Sequence, residues 1–302
     1  MKKVLITGAN SYIGISFENY VHVHYSSELS VDTVDMIDGS WREKVFSPYD
    51  IVFHVAGIAH ADVGSVSEET QRKYYEVNTD LAIETCKKAK ADGVKQFVFM
   101  SSSIIYGDSA NYGQTKRITK ETEPQPANFY GNSKWLADKG VRELADQNFI
   151  VTVLRPPMIY GKGSKGNYPT LAKIAKKLPI FPDIKNERSM LYIENLCEFL
   201  SQIMIRGEGG IFWPQNAEYT QTSEMVRMIA QISRHKISVS KAWNWAVGLA
   251  CRIPGKPARL INKAFGNFSY SPSMSKYAFP YQIIGLKESI EKTERADENE
   301  RA

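Results

Sequence analysis

A glycine-containing turn between a predicted strand and a predicted helix constrains the fold of this chain more than any other feature. The apolar run Val4-Leu5-Ile6 is typical of a buried strand, and Thr7-Gly8-Ala9-Asn10-Ser11-Tyr12-Ile13-Gly14 follows it directly. Gly8 allows a tight turn, Gly14 allows close packing of the helix, and N–H groups at the helix start face a pyrophosphate. We therefore predict a dinucleotide site at the following residues: Gly8, Asn10, Ser11, Tyr12, Ile13 and Gly14.

An acidic residue supports this prediction. Asp35 lies at the end of a second predicted strand, which runs from Val31 to Met36. A carboxylate there can accept hydrogen bonds from an adenosine ribose and would repel a 2′-phosphate, which slightly favours NAD over NADP. Ser11 departs from the usual pattern, because it replaces the middle glycine and its Cβ narrows the approach to phosphate. Taken alone, the motif also fits an ordinary strand–turn–helix connection with capping residues.

The first two-thirds of the sequence alternate strand-like and helical patterns. Apolar runs at 50–54, 96–100 and 150–154 predict buried strands, and helical spacing is present at 69–91 and 130–147. This alternation is typical of βαβ units. It predicts an α/β fold with a doubly wound parallel sheet of the Rossmann type.

The pattern changes after Pro156-Pro157. Glycines and prolines crowd 161–182, and the helices predicted at 193–206 and 222–233 alternate with irregular, aromatic-bearing stretches. We therefore predict two domains. Residues 1–167 form the dinucleotide-binding domain, to which the chain returns around 189–206, and 168–302 mainly form a smaller α/β substrate-binding lobe with a frayed charged tail at 291–302.

Two further patterns carry reactive groups. Tyr130 and Lys134 are four residues apart at the start of a predicted helix, so the phenol and the ammonium share one face. A nearby cation favours the phenolate of a tyrosine, whose pKa is otherwise near 10. Ser101, Ser102 and Ser103 end a predicted buried strand, where ligands of open α/β sheets bind. Taken alone, the pair Tyr130 and Lys134 also fits a solvated helix face, and the serines also fit a capped turn.

Three more segments complete a recognisable set: His54-Val55-Ala56-Gly57, Val77-Asn78-Thr79 and Leu154-Arg155-Pro156-Pro157-Met158-Ile159-Tyr160-Gly161. With the motifs above, they resemble the extended short-chain dehydrogenase/reductases, the NAD-dependent nucleotide-sugar epimerase/dehydratase family, over essentially the whole chain. The resemblance implies that Tyr130 is the acid/base, that Lys134 binds the nicotinamide ribose, and that Ser102 polarises the reacting sugar oxygen. It adds three residues to the cofactor site: Ala56, Asn78 and Pro157.

The resemblance also implies contacts to a sugar nucleotide. Gly166-Asn167 and the segment from Arg188 to Ile193 match family segments that contact the diphosphate, and the paired donors of an arginine suit phosphate oxygens. The predicted substrate contacts are Ser103, Asn167, Arg188 and Tyr192. The family's later arginine near the uridine is not evident, and Arg252 and Arg259 are both candidates.

The segment from Lys263 to Ser271, with the Arg155 and Arg188 segments, resembles the capsule and O-antigen branch that reduces UDP-4-keto-6-deoxy-N-acetylhexosamines. Reduction is therefore the expected activity, and 4-epimerisation of a UDP-hexose or UDP-N-acetylhexosamine is the alternative. Dehydration ranks low, because Ser103-Ile104 stands where a dehydratase has an acidic pair. A non-catalytic NAD(P)-binding regulator is an alternative of another class, although Tyr130 and Lys134 are both present.

Composition restricts the remaining possibilities. We expect the net charge of +5 to be spread along the chain. The sequence shows no basic helix with an aromatic platform, so nucleic-acid binding is not indicated. Three widely spaced cysteines argue against a disulfide framework and against a cysteine-based zinc site, so no metal is expected. No signal peptide is evident, and the apolar stretch Ala242 to Ile253 is too short to insert across a membrane. We expect a cytoplasmic protein, and the resemblance implies a homodimer.

Overall fold

A computed structural model describes residues 1–58, 66–253 and 255–295 of the 302-residue chain. The strands are β1 (Lys2–Thr7), β2 (Leu29–Val34), β3 (Ile51–His54), β4 (Gln96–Met100), β5 (Arg117–Ile118), β6 (Ile150–Leu154), β7 (Met158–Tyr160), β8 (Ile180–Pro182), β9 (Met190–Tyr192), β10 (Gly210–Phe212), β11 (Ser238–Ser240) and β12 (Ser269–Tyr270). The α-helices are α1 (Tyr12–His24), α2 (Glu68–Tyr75), α3 (Leu81–Ala91), α4 (Phe129–Arg142), α5 (Asn167–Ala175), α6 (Ile193–Arg206), α7 (Thr222–Ile232), α8 (Asn244–Cys251), α9 (Lys256–Phe265) and α10 (Leu286–Glu294).

The main sheet confirms the predicted doubly wound α/β fold. Its six strands are all parallel, in the order β2-β1-β3-β4-β6-β10. From β1 the chain moves outward to β2 and then returns to β3 on the other side of β1. In open sheets of this kind, ligands bind at the carboxyl ends of the strands where the direction of winding reverses. The fold therefore places a binding crevice beyond β1 and β3.

Alternating residues of the strands pack on opposite faces of the sheet. Val4 and Ile6 join an apolar cluster with α1 and α6, whereas Leu5 joins a second cluster with α3 and α4. Because the central strands are buried on both faces, their sequences are continuous apolar runs, which is typical of parallel sheets. Helices therefore cover both faces of the sheet.

Short parallel strand pairs and helices build the C-terminal part. The pairs are β7 with β9, β8 with β11, and β5 with β12. Helix α10 closes this part by burying Leu286 and Ile290 in the cluster that contains α1 and α6. The division of the chain into two domains stays a prediction.

Several predicted boundaries were wrong. Helix α4 ends at Arg142 instead of residue 147, because Asp146 accepts a hydrogen bond from the N–H of Asn148 and turns the chain toward β6. Strand β2 ends at Val34, so Asp35 follows it. The tail predicted to be frayed from residue 291 is helical through Glu294, and residues 296–302 lie outside the described part.

One predicted helix, 69–91, contains a break in its hydrogen-bonding pattern. Residues Glu76–Asp80 form a π-helical segment between α2 and α3. Such segments occur mostly as single turns within α-helices and are frequent at functional sites. None of the helices in the described ranges is long and apolar enough to cross a bilayer.

Candidate functional site

A cavity of about 590 Å³ lies at the carboxyl ends of β1, β3, β4 and β6. Nine of the residues predicted from the sequence line it: Asn10, Ser11, Tyr12, Ile13, Ser102, Tyr130, Lys134, Pro157 and Asn167. They come from separate stretches of sequence, which the parallel sheet brings to one edge. The fold thus assembles the three proposed reactive groups beside the glycine turn.

The glycine turn fits closely against the loop after β3. Gly8 has φ +113°, and a β-carbon there would lie 2.7 Å from the backbone nitrogen of Ala56. The N–H groups of Gly8 and Ala9 both donate to the carbonyl of Val34, at 3.0 and 3.1 Å. Only glycine satisfies both the dihedral angle and this close approach.

Ser11 is the N-cap of α1, which agrees with the capping residues that the sequence analysis gave as an alternative for this motif. Its Oγ accepts a hydrogen bond from the N–H of Gly14 at 3.1 Å, and its own N–H donates to the carbonyl of Gly8 at 3.2 Å. Helix geometry leaves the first N–H groups without intrahelical partners, so those of Tyr12 and Ile13 are placed to receive a phosphate. The strong N-cap preference of serine was the available signal.

We expect Ser11→Gly to preserve or increase dinucleotide affinity, because the substitution removes the β-carbon and frees the N–H of Gly14 for the ligand. Replacing a serine cap by glycine costs only a few tenths of a kcal/mol. Titration of NADH fluorescence and a thermal melt measure the two effects separately. Substantially weaker binding would show instead that Ser11 contacts the phosphate itself.

Asp35 lies on the surface directly beyond β2. Its Oδ1 accepts a hydrogen bond from the N–H of Ile37 at 2.8 Å, which fixes the carboxylate. The preceding residue, Val34, receives the N–H groups of the glycine turn, so Asp35 stands beside that turn. This position agrees with the predicted ribose contact.

Tyr130 and Lys134 project from the first turns of α4. The helix is capped by Asn128, whose Oδ1 accepts from the N–H of Gly131 at 2.9 Å, and the ring of Tyr74 packs edge-on against that of Tyr130. Lys134 is buried, and its Nζ donates to the carbonyl of Met100 at 3.3 Å. The two side chains are therefore held by packing as well as by the helix.

Burial sets the protonation states of this pair. It raises the pKa of Tyr130 to about 12, with a smaller contribution from Tyr74, and lowers the pKa of Lys134 to about 8. A buried environment disfavours the charged form of each group. At neutral pH the site therefore holds a protonated phenol and a largely protonated ammonium, and Lys134 does not lower the pKa of Tyr130 as the sequence predicted.

The two serines that follow Ser101 have different surroundings. Ser102 lines the cavity, and its Oγ accepts a hydrogen bond from the N–H of Ile104 at 3.3 Å. Its hydroxyl proton can still be donated toward a ligand. Ser103 is held through its backbone N–H, which donates to the carbonyl of Pro156 at 2.9 Å. Ser102 is thus the better placed of the two for the proposed reaction.

Asn78 lies in the π-helical segment and holds the loop after β3. Its Oδ1 accepts from the N–H of Ile58 at 2.8 Å, and its Nδ2 donates to the carbonyl of Ile58 at 3.0 Å and to Ser133 at 3.2 Å. A β-carbon at Gly57 would come within 3.0 Å of both Asn78 and Lys134. Asn78 thus connects α4 to the loop that carries Ala56, and its cofactor contact stays a prediction.

The four predicted substrate contacts do not all reach the cavity. Asn167 lines it at the start of α5. Arg188 instead donates through Nη1 to the carbonyls of Lys263 and Gly266, at 3.0 and 2.9 Å. Tyr192 is buried, and its hydroxyl donates to Glu194 at 3.0 Å. Ser103, Arg188 and Tyr192 are not among the described residues that line this cavity.

A buried ion pair behind the cavity was missed by the sequence analysis. Both Asp138 and Arg155 are buried, and Arg155 donates from Nε and Nη2 to the two carboxylate oxygens at 2.9 and 2.8 Å. Ser101 donates to the same carboxylate at 2.8 Å, and Arg155 also donates to Tyr106 at 2.8 Å. The available signal was the position of Asp138 four residues after Lys134, on the same helix face.

The chain matches known proteins in both sequence and fold. Residues 4–212 match the family described as "NAD dependent epimerase/dehydratase family". A UDP-glucose 4-epimerase of Vibrio cholerae is 27% identical over 286 residues, which cover 88% of this chain and 83% of the relative. An N-acetyl-alpha-D-glucosaminyl-diphospho-ditrans,octacis-undecaprenol 4-epimerase of Escherichia coli O157:H7 is 29% identical over 65% of this chain and 61% of its own length.

The solved structure of a UDP-glucose 4-epimerase of Thermus thermophilus in complex with NAD has the same fold. It superimposes with a TM-score of 0.72 at 19% identity, and the match covers 96% of this chain and 97% of the other. The match includes the C-terminal part as well as the main sheet. The similarity therefore extends beyond the dinucleotide-binding fold.

Proposed function

The chain belongs to the NAD-dependent epimerase/dehydratase family, and on that basis we propose that it reduces a UDP-linked 4-keto-6-deoxy-N-acetylhexosamine. The observation that carries this proposal is that Tyr130, Lys134 and Ser102 line one cavity. Reduction of a ketone consumes one hydride and one proton. A phenol that keeps its proton at neutral pH can supply that proton.

The glycine turn fits a dinucleotide, because Asn10, Ser11, Tyr12 and Ile13 line the cavity at the start of α1, where helix N–H groups without intrahelical partners suit a phosphate. A reduced nicotinamide bound in this crevice would supply the hydride. Asp35 favours NADH, since its carboxylate would repel the additional phosphate of NADPH. The residues that would hold the cofactor are Gly8, Asn10, Ser11, Tyr12, Ile13, Gly14, Asp35, Ala56, Asn78, Tyr130, Lys134 and Pro157.

The protein groups have separate roles in the proposed reaction. Ser102 donates a hydrogen bond to the C4 carbonyl oxygen of the sugar and fixes its position. As the carbonyl carbon accepts the hydride, Tyr130 transfers its proton to that oxygen, and the oxygen becomes a hydroxyl. The ammonium of Lys134 stabilises the resulting phenolate until solvent restores the proton. Asn167, which lines the cavity, is the proposed contact to the rest of the substrate, whereas Ser103, Arg188 and Tyr192 stay predictions from the sequence.

The 4-epimerase is the second candidate, and it is supported by the relatives from Vibrio cholerae and Escherichia coli. An epimerase would use the same three side chains, but it would retain its cofactor and return the hydride to the opposite face of the sugar. Dehydration is not supported, because Ser103 and Ile104 provide no carboxylate beside Ser102.

The test is to add UDP-4-keto-6-deoxy-N-acetylglucosamine with NADH or NADPH and to follow the absorbance of the reduced cofactor. We expect one equivalent of NADH to be consumed for each sugar reduced. If no cofactor is consumed, yet UDP-N-acetylglucosamine and UDP-N-acetylgalactosamine interconvert without added cofactor, the reductase proposal is wrong and the epimerase is supported. Binding of dinucleotide without either activity would favour a regulator.

The rate of reduction should depend on the protonation of Lys134. Above its pKa of about 8 the ammonium loses its proton, and the phenolate formed on Tyr130 loses its stabilising charge. We therefore expect kcat/KM to be level below about pH 8 and to fall by up to about tenfold per pH unit above it. A reductive rate that rises through this range would contradict the assignment. NADH affinity measured at each pH separates chemistry from cofactor binding.

A further inference from the structure

The positive charge of the chain is concentrated in one stretch. Between Glu224 and Glu288 the sequence contains no Asp or Glu and ten Lys or Arg. The whole chain has 38 basic and 33 acidic residues, so outside this stretch acidic residues outnumber basic ones by five. This distribution corrects the expectation that the charge is spread along the chain.

The same stretch carries exposed apolar side chains. We call residues 241–253 and 255–265 the basic hairpin, because α8 and α9 pack against each other there. Its large exposed side chains are 45% to 67% accessible to solvent, and they are Trp243, Trp245, Leu249, Ile253 and Leu260. Trp245 and Leu249 are four residues apart on α8, so they share one face. Both line a groove of about 600 Å³ together with Tyr112 and Arg252.

Exposed basic residues flank these apolar groups in the sequence. Lys241 precedes α8, Arg252 follows it, and Arg259 and Lys263 share a face of α9. Tryptophan and leucine beside lysine and arginine is the composition of helices that lie in the interface of a bilayer. The headgroup region accommodates the ring of tryptophan, and anionic lipids attract the basic side chains.

We propose that the basic hairpin docks the protein on the surface of an anionic lipid bilayer. In the docked state Trp243, Trp245 and Leu249 enter the headgroup region, while Lys241, Arg252, Arg259 and Lys263 contact lipid phosphates. This docking is peripheral and inserts no helix across the membrane. It is independent of the reaction proposed above.

Charge favours a lipid surface over a second copy of this chain. Two basic hairpins facing each other would bring together surfaces of like charge, which is unfavourable. The hairpin is also held firmly on the rest of the protein. The carbonyls of Lys263 and Gly266 receive Arg188, and the Oδ1 of Asn262 accepts from the N–H of Tyr112 at 2.8 Å. Docking would therefore orient the whole molecule.

The experiment is sedimentation of the full chain with vesicles of phosphatidylcholine alone or mixed with phosphatidylglycerol. We expect binding only to the anionic vesicles and weaker binding as salt is added. Lys241→Gln with Lys263→Gln should lower the affinity about 25-fold, or about fivefold for each charge removed. The matched control is Lys87→Gln with Lys95→Gln, which removes two exposed lysines elsewhere and should retain nearly all of the binding.

A second pair of variants tests the apolar contact. Trp245→Ser with Leu249→Ser should lose vesicle binding and keep wild-type turnover of a water-soluble substrate, whereas Val23→Ser with Val45→Ser should keep both. Val23 and Val45 are also well exposed, at 71% and 61%. Acyl chains carrying bromine should quench the fluorescence of Trp243 and Trp245 in the bound protein, and Trp245→Phe should reduce this quenching.

Three results would overturn the proposal. The first is equal binding to neutral and anionic vesicles, and the second is binding that the hairpin variants do not change. The third is self-association that the Trp245 and Leu249 variants abolish in a protein that binds no vesicles, because this face would then belong to a dimer. Both readouts are made without measuring catalysis, so failure of the reductase proposal would leave them unaffected.

Discussion

Tyr130→Phe should lower turnover by at least about 100-fold while folding and NADH affinity stay nearly unchanged, because the substitution removes only the hydroxyl that supplies the proton. The phenyl ring keeps its packing against Tyr74 and its place on α4. The measurements are steady-state turnover, a fluorescence titration with NADH, and a thermal melt. Wild-type turnover in this variant would exclude Tyr130 from the mechanism.

Tyr74→Phe is the matched control for this experiment. Tyr74 is buried, packs directly against Tyr130, and is not among the described residues lining the cavity. The substitution therefore removes a neighbouring phenolic hydroxyl without removing the proposed acid. We expect turnover close to that of the wild type. An equally large loss in both variants would indicate a packing effect instead of loss of a proton donor.

Local signals were sufficient to predict the part of the site that lies along the sheet edge. The strand at Gln96–Met100 and the helix at Ile193–Arg206 have the predicted bounds, because apolar runs and helical spacing are short-range patterns. Ser102, Tyr130 and Lys134 meet in one cavity because parallel strands end at the same edge.

Features that depend on contacts distant in sequence were not predictable in this way. Asn78 meets Ile58, twenty residues earlier, through a π-helical segment that has no clear sequence pattern. The partners of Arg188 are carbonyls more than seventy residues away. A guanidinium can donate hydrogen bonds to a diphosphate or to the carbonyls at the end of a helix. The sequence does not distinguish these two partners.

The buried ion pair behind the cavity leads to the second large effect. Asp138→Ala should lower the free energy of unfolding by about 3–5 kcal/mol, because Arg155 would keep its charge in a buried position without its carboxylate partner. The substitution also leaves Ser101 and Arg142 without their acceptor. Chemical denaturation followed by circular dichroism measures the change. A loss below about 1 kcal/mol would mean that water reaches the pair and solvates Arg155.

Two further variants identify the origin of that effect. Glu84→Ala breaks the exposed pair between Glu84 and Arg42, whose side chains are about half accessible, and it should change stability little. Asp138→Leu with Arg155→Met removes both buried charges, and it should recover most of the stability that Asp138→Ala loses, since apolar side chains of similar volume often replace a buried pair at little cost. If the double variant is as unstable as the single one, the hydrogen bonds of Ser101 and Tyr106 hold the strand ends together, and the unpaired charge is not the cause.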